Sequence, residues 1–89
     1  MAEIHIHPSL LRFTDNQQIV QLPIFTVGEL IPHLCEKFPR LSATLINALG
    51  NLTPYVNFYI DGKHLNTYEK QATLSPNAKI DLITSLVGG

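Results

Sequence analysis

One segment near the middle of the chain sets the fold class, because its hydrophobic period changes from two residues to three and four. Its apolar residues form a single stripe on a helix of about three turns. The stripe consists of Val27, Leu30, Ile31, Leu34 and Phe38. The segments that flank it mostly alternate as strands do. Since one helix covers only one face of a sheet, we expect an α+β fold in which a sheet packs on one main helix.

The start of this helix carries signals of its own. Thr26 and Glu29 have the spacing of a capping box, in which each side chain bonds the backbone N–H of the other. Phe25 and Leu30 are spaced as a hydrophobic staple. Because Pro32 has no N–H to donate, we expect a kink or a loosened first turn on the solvent side of the helix.

A short second helix is predicted after Pro39, the residue that ends the first helix. Apolar residues again recur at helical spacing, and Gly50 is placed to cap the C-terminus. These apolar residues are Leu41, Leu45, Ile46 and Leu49. The sequence therefore predicts one main helix and one short helix.

Five segments are typical of strands, most of them because apolar and polar residues alternate. They are residues 3–7, 18–22, 55–60, 63–65 and 80–84. The first two predict a hairpin, and Pro23 implies that its second strand ends there or lies at an edge. Asp61-Gly62 is the strongest turn signal and leads into the short strand. The order predicts a mixed sheet of four to five strands, as in the ubiquitin-like β-grasp.

The composition argues against several classes of protein. With 89 residues, of which 45% are hydrophobic and 15% charged, we expect one globular domain. The net charge is -1 and the six basic residues are dispersed, which argues against binding to nucleic acid. We see no signal peptide and no apolar run that could span a membrane. A cytoplasmic location is therefore expected.

Other candidate sites are weaker. Cys35 adjoins the apolar stripe and is interpreted as a small buried hydrophobe rather than a nucleophile, and as a lone cysteine it excludes an internal disulfide. His5 and His7 share a strand face, but two ligands do not make a metal site, and His33 and His64 lie on other elements. The acidic residues form no carboxylate pair, so neither a metal site nor a hydrolase is expected.

The last four residues, Leu86-Val87-Gly88-Gly89, follow directly on the last predicted strand. Two residues without a Cβ make a thin end that can enter a narrow cleft. The terminal carboxylate of Gly89 is then a group that a partner enzyme can bind or activate.

The uncovered face of the sheet is a second candidate site. Alternation places Tyr55, Tyr59 and Ile83 on the outward side. Singly they would be ordinary surface residues, but grouped on one face they would form a docking patch, which is the interpretation we prefer.

Several of these stretches together resemble the ubiquitin-like sulfur-carrier family, which includes the small subunit of molybdopterin synthase and the thiamine sulfur carrier. The resemblance rests on Val56-Asn57-Phe58-Tyr59-Ile60-Asp61-Gly62, Thr73-Leu74, Ile80-Asp81-Leu82 and Gly88-Gly89. Ile6 to Pro8, with Leu11 and Arg12, is similar to the carrier that supplies sulfur for cysteine synthesis. Residues 75–79 depart from the family, where many members have Asp-Gly-Asp. The resemblance implies a β-grasp domain over residues 1–85 and a flexible tail over residues 86–89.

The resemblance places the chemistry at Gly89 alone. An adenylating enzyme would use ATP to join the carboxylate to AMP, and a sulfur donor would convert this mixed anhydride into a thiocarboxylate. A sulfur-accepting synthase would take the sulfur, with cysteine synthase as first choice and the molybdopterin synthase large subunit as an alternative. Leu86 and Val87 would hold the tail straight, and Gly88 would give the partner enzymes steric access to the Gly89 carboxylate. The chain would be a carrier rather than an enzyme, with no bound cofactor.

Two other functions stay open. A protein modifier needs the same activation, but a lysine amine then attacks Gly89 to form an isopeptide bond. A plain interaction domain would have an inert end, and a residue added after Gly89 would change nothing. Within the carrier function, molybdopterin and thiamine precursors also stay open as recipients.

Overall fold

The computed structural model describes residues 1–46 and 52–84. A five-stranded sheet packs there on two consecutive α-helices. The strands are β1 (Ala2–Ile6), β2 (Ile19–Leu22), β3 (Val56–Ile60), β4 (Lys63–His64) and β5 (Lys79–Thr84), and the helices are α1 (Leu30–Lys37) and α2 (Pro39–Leu45). Short 3-10 helices cover Pro8–Phe13, Val27–Glu29 and Leu65–Thr67.

The strands lie in the order β2-β1-β5-β3-β4. β5 runs parallel to β1 and antiparallel to β3, while the β1–β2 and β3–β4 pairs are antiparallel hairpins. The first and last strands are therefore neighbours inside a mixed sheet, with β2 at one edge as Pro23 suggested. This topology confirms the predicted β-grasp.

One face of the sheet is buried against the helices. The strand residues that alternation placed inward are buried, and the helix stripe meets them. The largest fully buried side chains include Ile4, Leu22, Leu30, Leu34, Leu41, Phe58, Ile60, Ile80 and Leu82. Burial of each such side chain stabilises the fold by about 1.5–3 kcal/mol, so this layer is the main source of stability.

The start of the helix differs from the predicted capping box. The Thr26 hydroxyl donates to the Glu29 carboxylate at 2.9 Å, so the two side chains bond each other and cap no backbone N–H. The N–H of Gly28 instead donates to the carbonyl of Lys70 at 2.8 Å. A segment remote in sequence thus satisfies the helix start, and local spacing could not reveal it.

The predicted hydrophobic staple is wrong. Leu30 is fully buried, whereas Phe25 is 69% exposed. The carbonyl of Phe25 accepts the N–H of Leu74 at 2.8 Å, and Thr26 forms an isolated bridge with Thr73. This pairing to a distant segment fixes the backbone of Phe25 while its ring stays in solvent.

Pro32 lies on the solvent side of the helix as predicted, while the kink or loosened first turn expected there stays a prediction. A 3-10 turn over Val27–Glu29 precedes α1, and Pro32 lies exposed in the first turn of α1. The N–H groups of a first turn have no partner within the helix, so proline removes little there.

The second helix is shorter than predicted. Leu41 and Leu45 are buried in α2, but Ile46 lies beyond its end and pairs with Leu52 in an isolated bridge. Leu49 and the expected cap Gly50 lie outside the described residues.

Every strand differs from its predicted range by one residue at one or both ends. β1 lies one residue earlier, β2 begins one residue later and β5 begins one residue earlier. β3 and β4 are each one residue shorter. Tyr55 precedes β3 rather than belonging to it, because β3 begins at Val56. Leu65 starts a 3-10 helix and is no part of β4. Both differences shorten a strand by one residue and leave its inward and outward faces as predicted.

The turn between β3 and β4 has positive φ at both central residues, 49° at Asp61 and 85° at Gly62. These are the dihedrals that a two-residue hairpin requires. The Asp61 carboxylate also accepts the N–H of Lys79 at 3.0 Å, which ties the turn to the start of β5.

Substituting Gly62 with alanine is expected to lower the free energy of unfolding by about 1 kcal/mol. Nothing lies within 4 Å of an added Cβ, so the cost is purely the positive φ. Urea denaturation measures the change. Gly62→Asn is the control and should lose less, because asparagine tolerates positive φ better than alanine. An alanine variant as stable as the wild type would contradict this.

Candidate functional site

The tail that carries the predicted chemistry, residues 86–89 with Gly89 at its tip, lies outside the described residues. The structure does place the strand that leads to it. β5 is paired on both sides, by β1 and by β3, and its last residue Thr84 is buried and lies opposite Val56. The point from which the chain continues toward Gly89 is therefore anchored within the sheet rather than at its edge.

The face of the sheet away from the helices brings together the three residues predicted for docking. Tyr55 is 48% exposed and Ile83 is 42% exposed, while Tyr59 is half-buried. Ile83 lies opposite Asn57 on β3, so the two tyrosines are its diagonal neighbours. We call Tyr55, Tyr59 and Ile83 the open-face patch. The patch lies around the end of β5, and its use in docking stays a prediction.

One residue of the open-face patch, Tyr59, contacts a side chain that is itself held by hydrogen bonds. The ring of Tyr59 meets the His64 imidazole edge-on, with centroids 5.3 Å apart. Nδ1 of His64 accepts the N–H of Asn66 at 3.1 Å, so Nε2 is the nitrogen that donates to Oδ1 of Asn57 at 2.9 Å. Side chains fixed in this way lose less entropy when a partner binds.

Sequence analysis placed His64 on another element and missed this role. The signal was nevertheless present, because a two-residue turn at Asp61-Gly62 places His64 opposite Tyr59. Counting the hairpin register outward from that turn would have found the contact.

The other candidate residues contact neighbouring parts of the fold. Nε2 of His5 lies 2.8 Å from the carboxylate of Glu3, and Nδ1 of His7 accepts the N–H of Ser9 at 3.2 Å. Cys35 is half-buried against the core rather than fully buried. Within the described part of the chain, no three histidine, cysteine or acidic side chains converge as metal ligands. The helices described there are also too short or too polar to cross a membrane.

Comparison with known proteins gives structural neighbours only, since neither a protein-family model nor a curated protein matches the sequence. SAMP1 of Haloferax volcanii, a small archaeal modifier protein, has a TM-score of 0.80 and 18% identity, and the match covers 99% of this chain and 98% of that one. CysO of Mycobacterium tuberculosis, described as an antigen, has a TM-score of 0.79 and 19% identity, with 97% and 100% covered. The BexX/CysO complex of Amycolatopsis orientalis gives a TM-score of 0.81 and 18% identity, with both chains fully covered (100% and 100%).

These matches span the whole chain, and at such identities they establish the fold. The chain has the ubiquitin-like β-grasp fold. The fold that the sequence resemblance implied is therefore confirmed.

Proposed function

We propose that this chain is a ubiquitin-like sulfur carrier whose terminal carboxylate, on Gly89, is adenylated and converted to a thiocarboxylate. The observation that carries the proposal is the β-grasp sheet whose inner strand β5 leads into a Gly-Gly end. The likeness to CysO structures supports it. Cysteine is the first choice of product, with molybdopterin and thiamine precursors as alternatives, and the cytoplasm is the proposed location.

The chemistry needs little from the carrier itself. An oxygen of the Gly89 carboxylate attacks the α-phosphorus of ATP in the activating enzyme and releases pyrophosphate. The mixed anhydride is a better electrophile than the carboxylate, so hydrosulfide supplied by the sulfur donor can add to its carbonyl and expel AMP. The product is a thiocarboxylate, whose sulfur is then the group that the carrier delivers to the accepting synthase. Gly88 and Gly89 leave the path to the carbonyl clear of any Cβ.

Adenylation in vitro tests the proposal. The protein is incubated with its host's activating enzyme and with ATP labelled at the α-phosphate. We expect label on the protein as an acyl-adenylate at Gly89, followed by its loss and the gain of sulfur when a sulfur donor is added. An activating enzyme that adenylates another carrier but never labels this chain would contradict the proposal.

A protein modifier is the second candidate, favoured by the likeness to SAMP1, which is named as a modifier. Activation would be the same, but a lysine amine would displace AMP and form an isopeptide bond. Peptide mapping of conjugates from the native host separates the two functions. Gly-Gly remnants on lysines of other proteins indicate a modifier, and a terminal thiocarboxylate indicates a carrier.

Placing a charge on the open-face patch is expected to weaken activation without unfolding the protein. Ile83→Lys should raise the KM for the carrier in pyrophosphate exchange by at least about tenfold, because burying an unpaired charge at the docking surface is costly. Ile19→Lys is the matched control, since Ile19 is similarly exposed but lies on edge strand β2, away from β3. Equal KM values for the two variants would contradict docking through this patch.

A further inference from the structure

Two arginines far apart in the sequence lie over the same aromatic ring. The guanidinium carbon of Arg12 is 4.9 Å from the centroid of Phe13, and that of Arg40 is 6.0 Å from it. The sequence contains only these two arginines, and both are exposed while Phe13 is half-buried. We call Arg12, Phe13 and Arg40 the arginine cluster. Stacking on a ring holds a guanidinium plane in place while its N–H groups stay available.

The positive charge of the arginine cluster is not neutralised by the described residues. Among residues 1–46 and 52–84, one ion pair is present, between His5 and Glu3. Asp15 is close in sequence to Arg12, yet it forms no ion pair with it. Within residues 1–46 and 52–84, neither guanidinium group of the cluster has an ion-pair partner.

Buried residues hold the backbone next to Phe13 and next to Arg40. Thr14, next to Phe13, is fully buried, and its hydroxyl donates to the carbonyl of Gln17 at 3.0 Å. Arg40 lies in the first turn of α2 and is followed by the fully buried Leu41. The Phe13 ring adds a contact to both arginine side chains that an isolated surface lysine lacks.

The cluster lies at the end of the molecule from which the tail departs. Phe13 ends the 3-10 helix Pro8–Phe13, which directly follows the end of β1. β5 is parallel to β1, with Leu82 beside Ile6, so Thr84 ends at the same side of the sheet. A partner that receives the chain beyond Thr84 approaches this end.

We infer that the arginine cluster is a contact for an acidic surface of the activating enzyme, an inference that rests on the proposed function. Two guanidinium forks match carboxylates, and the ring between them offers apolar contact. A carrier must bind and leave its enzyme in every cycle. Charge attraction suits this need because it raises the association rate more than the affinity.

Charge reversal tests the inference. For Arg12→Glu/Arg40→Glu, we expect the KM for the carrier in pyrophosphate exchange to rise at least about tenfold, with kcat unchanged. The matched control is Lys63→Glu/Lys79→Glu, the same change of charge at the opposite end of the sheet, and it should leave KM within about twofold of the wild type. Arg12→Lys/Arg40→Lys keeps the charge but loses the fork and the stacking, so its KM should lie between those of the wild type and the charge-reversed variant.

The salt dependence of KM and a control for folding distinguish the possible results of this experiment. Added salt should raise the wild-type KM and lower that of the charge-reversed variant, because salt screens the attraction in the first and the repulsion in the second. Urea denaturation of each variant confirms that it is folded. If wild type is adenylated and the reversed variant has the same KM and salt dependence, the cluster is not a contact and the proposed function stands. If the wild type is not adenylated at all, the proposed function fails, and the partner assigned to the cluster fails with it.

Discussion

A single alanine added after Gly89 is expected to abolish adenylation and leave the fold intact. The extension moves the reacting carboxylate along the chain by one residue, about 3.8 Å, and gives the tip a Cβ. Because a displacement of about 1 Å can cost about 100-fold in rate, we expect at least that loss in ATP–pyrophosphate exchange. The buried core spans Ala2 to Leu82, so the unfolding midpoint should not change.

The matched control carries the added alanine before Met1, with the same mass at the other end of the chain. It should exchange pyrophosphate at the wild-type rate. Gly89→Ala should likewise fold normally and fail to accept AMP or sulfur. If the extended tail is activated as well as the wild type, the chemistry does not lie at Gly89, and an interaction domain with an inert end becomes the better account.

Phe58→Ala is expected to have the largest effect on stability. Phe58 is 1% exposed and lies on β3 opposite Leu82 of β5. Loss of its ring removes buried apolar surface and leaves a cavity, at a cost of about 3–5 kcal/mol. Total stabilities are about 5–15 kcal/mol, so the variant should unfold at far lower urea concentration or fail to fold.

Phe25→Ala is the matched control, because it removes the same side chain from a site that is 69% exposed. Its stability should stay within about 0.5 kcal/mol of the wild type. A large loss in this variant would mean that Phe25 packs as the predicted staple requires. Equal losses at both positions would contradict the described core.

The sheet and the main helix could be predicted because their signals are local. Alternation in 3–7, 18–22 and 55–60 sorted inward from outward residues correctly, since one face of each of β1, β2 and β3 is buried. The stripe ending at Phe38 fixed the helix face in the same way. The chain order of these elements then left few topologies, among them the observed β-grasp.

The helix start, the exposure of Phe25 and the arginine cluster could not be predicted, because they depend on contacts between segments far apart in the chain. The carbonyl of Lys70 satisfies the helix start, so the capping box expected from Thr26 and Glu29 was not needed. Phe25 stays in solvent because its backbone pairs with Leu74. The meeting of Arg12 and Arg40 over one ring likewise required the fold, since no period or motif links these positions.

The open-face patch could be predicted from the sequence only in part. Alternation and strand register place Ile83 between two tyrosines, so its composition was predictable. Whether a partner docks there depends on a second protein. The sequence of this chain alone therefore predicts which residues form the surface but not which protein binds to it.

The most direct test of the sulfur-carrier function is the intact mass of the protein isolated from its native host under conditions that spare thioacids. We predict a fraction heavier by the difference between one sulfur and one oxygen atom, with the change located at Gly89 as the last residue. Adducts joined through Gly89 to lysines of other proteins would show a modifier instead. A terminus that stays an unmodified carboxylate, even after incubation with ATP and the activating enzyme, would contradict the account.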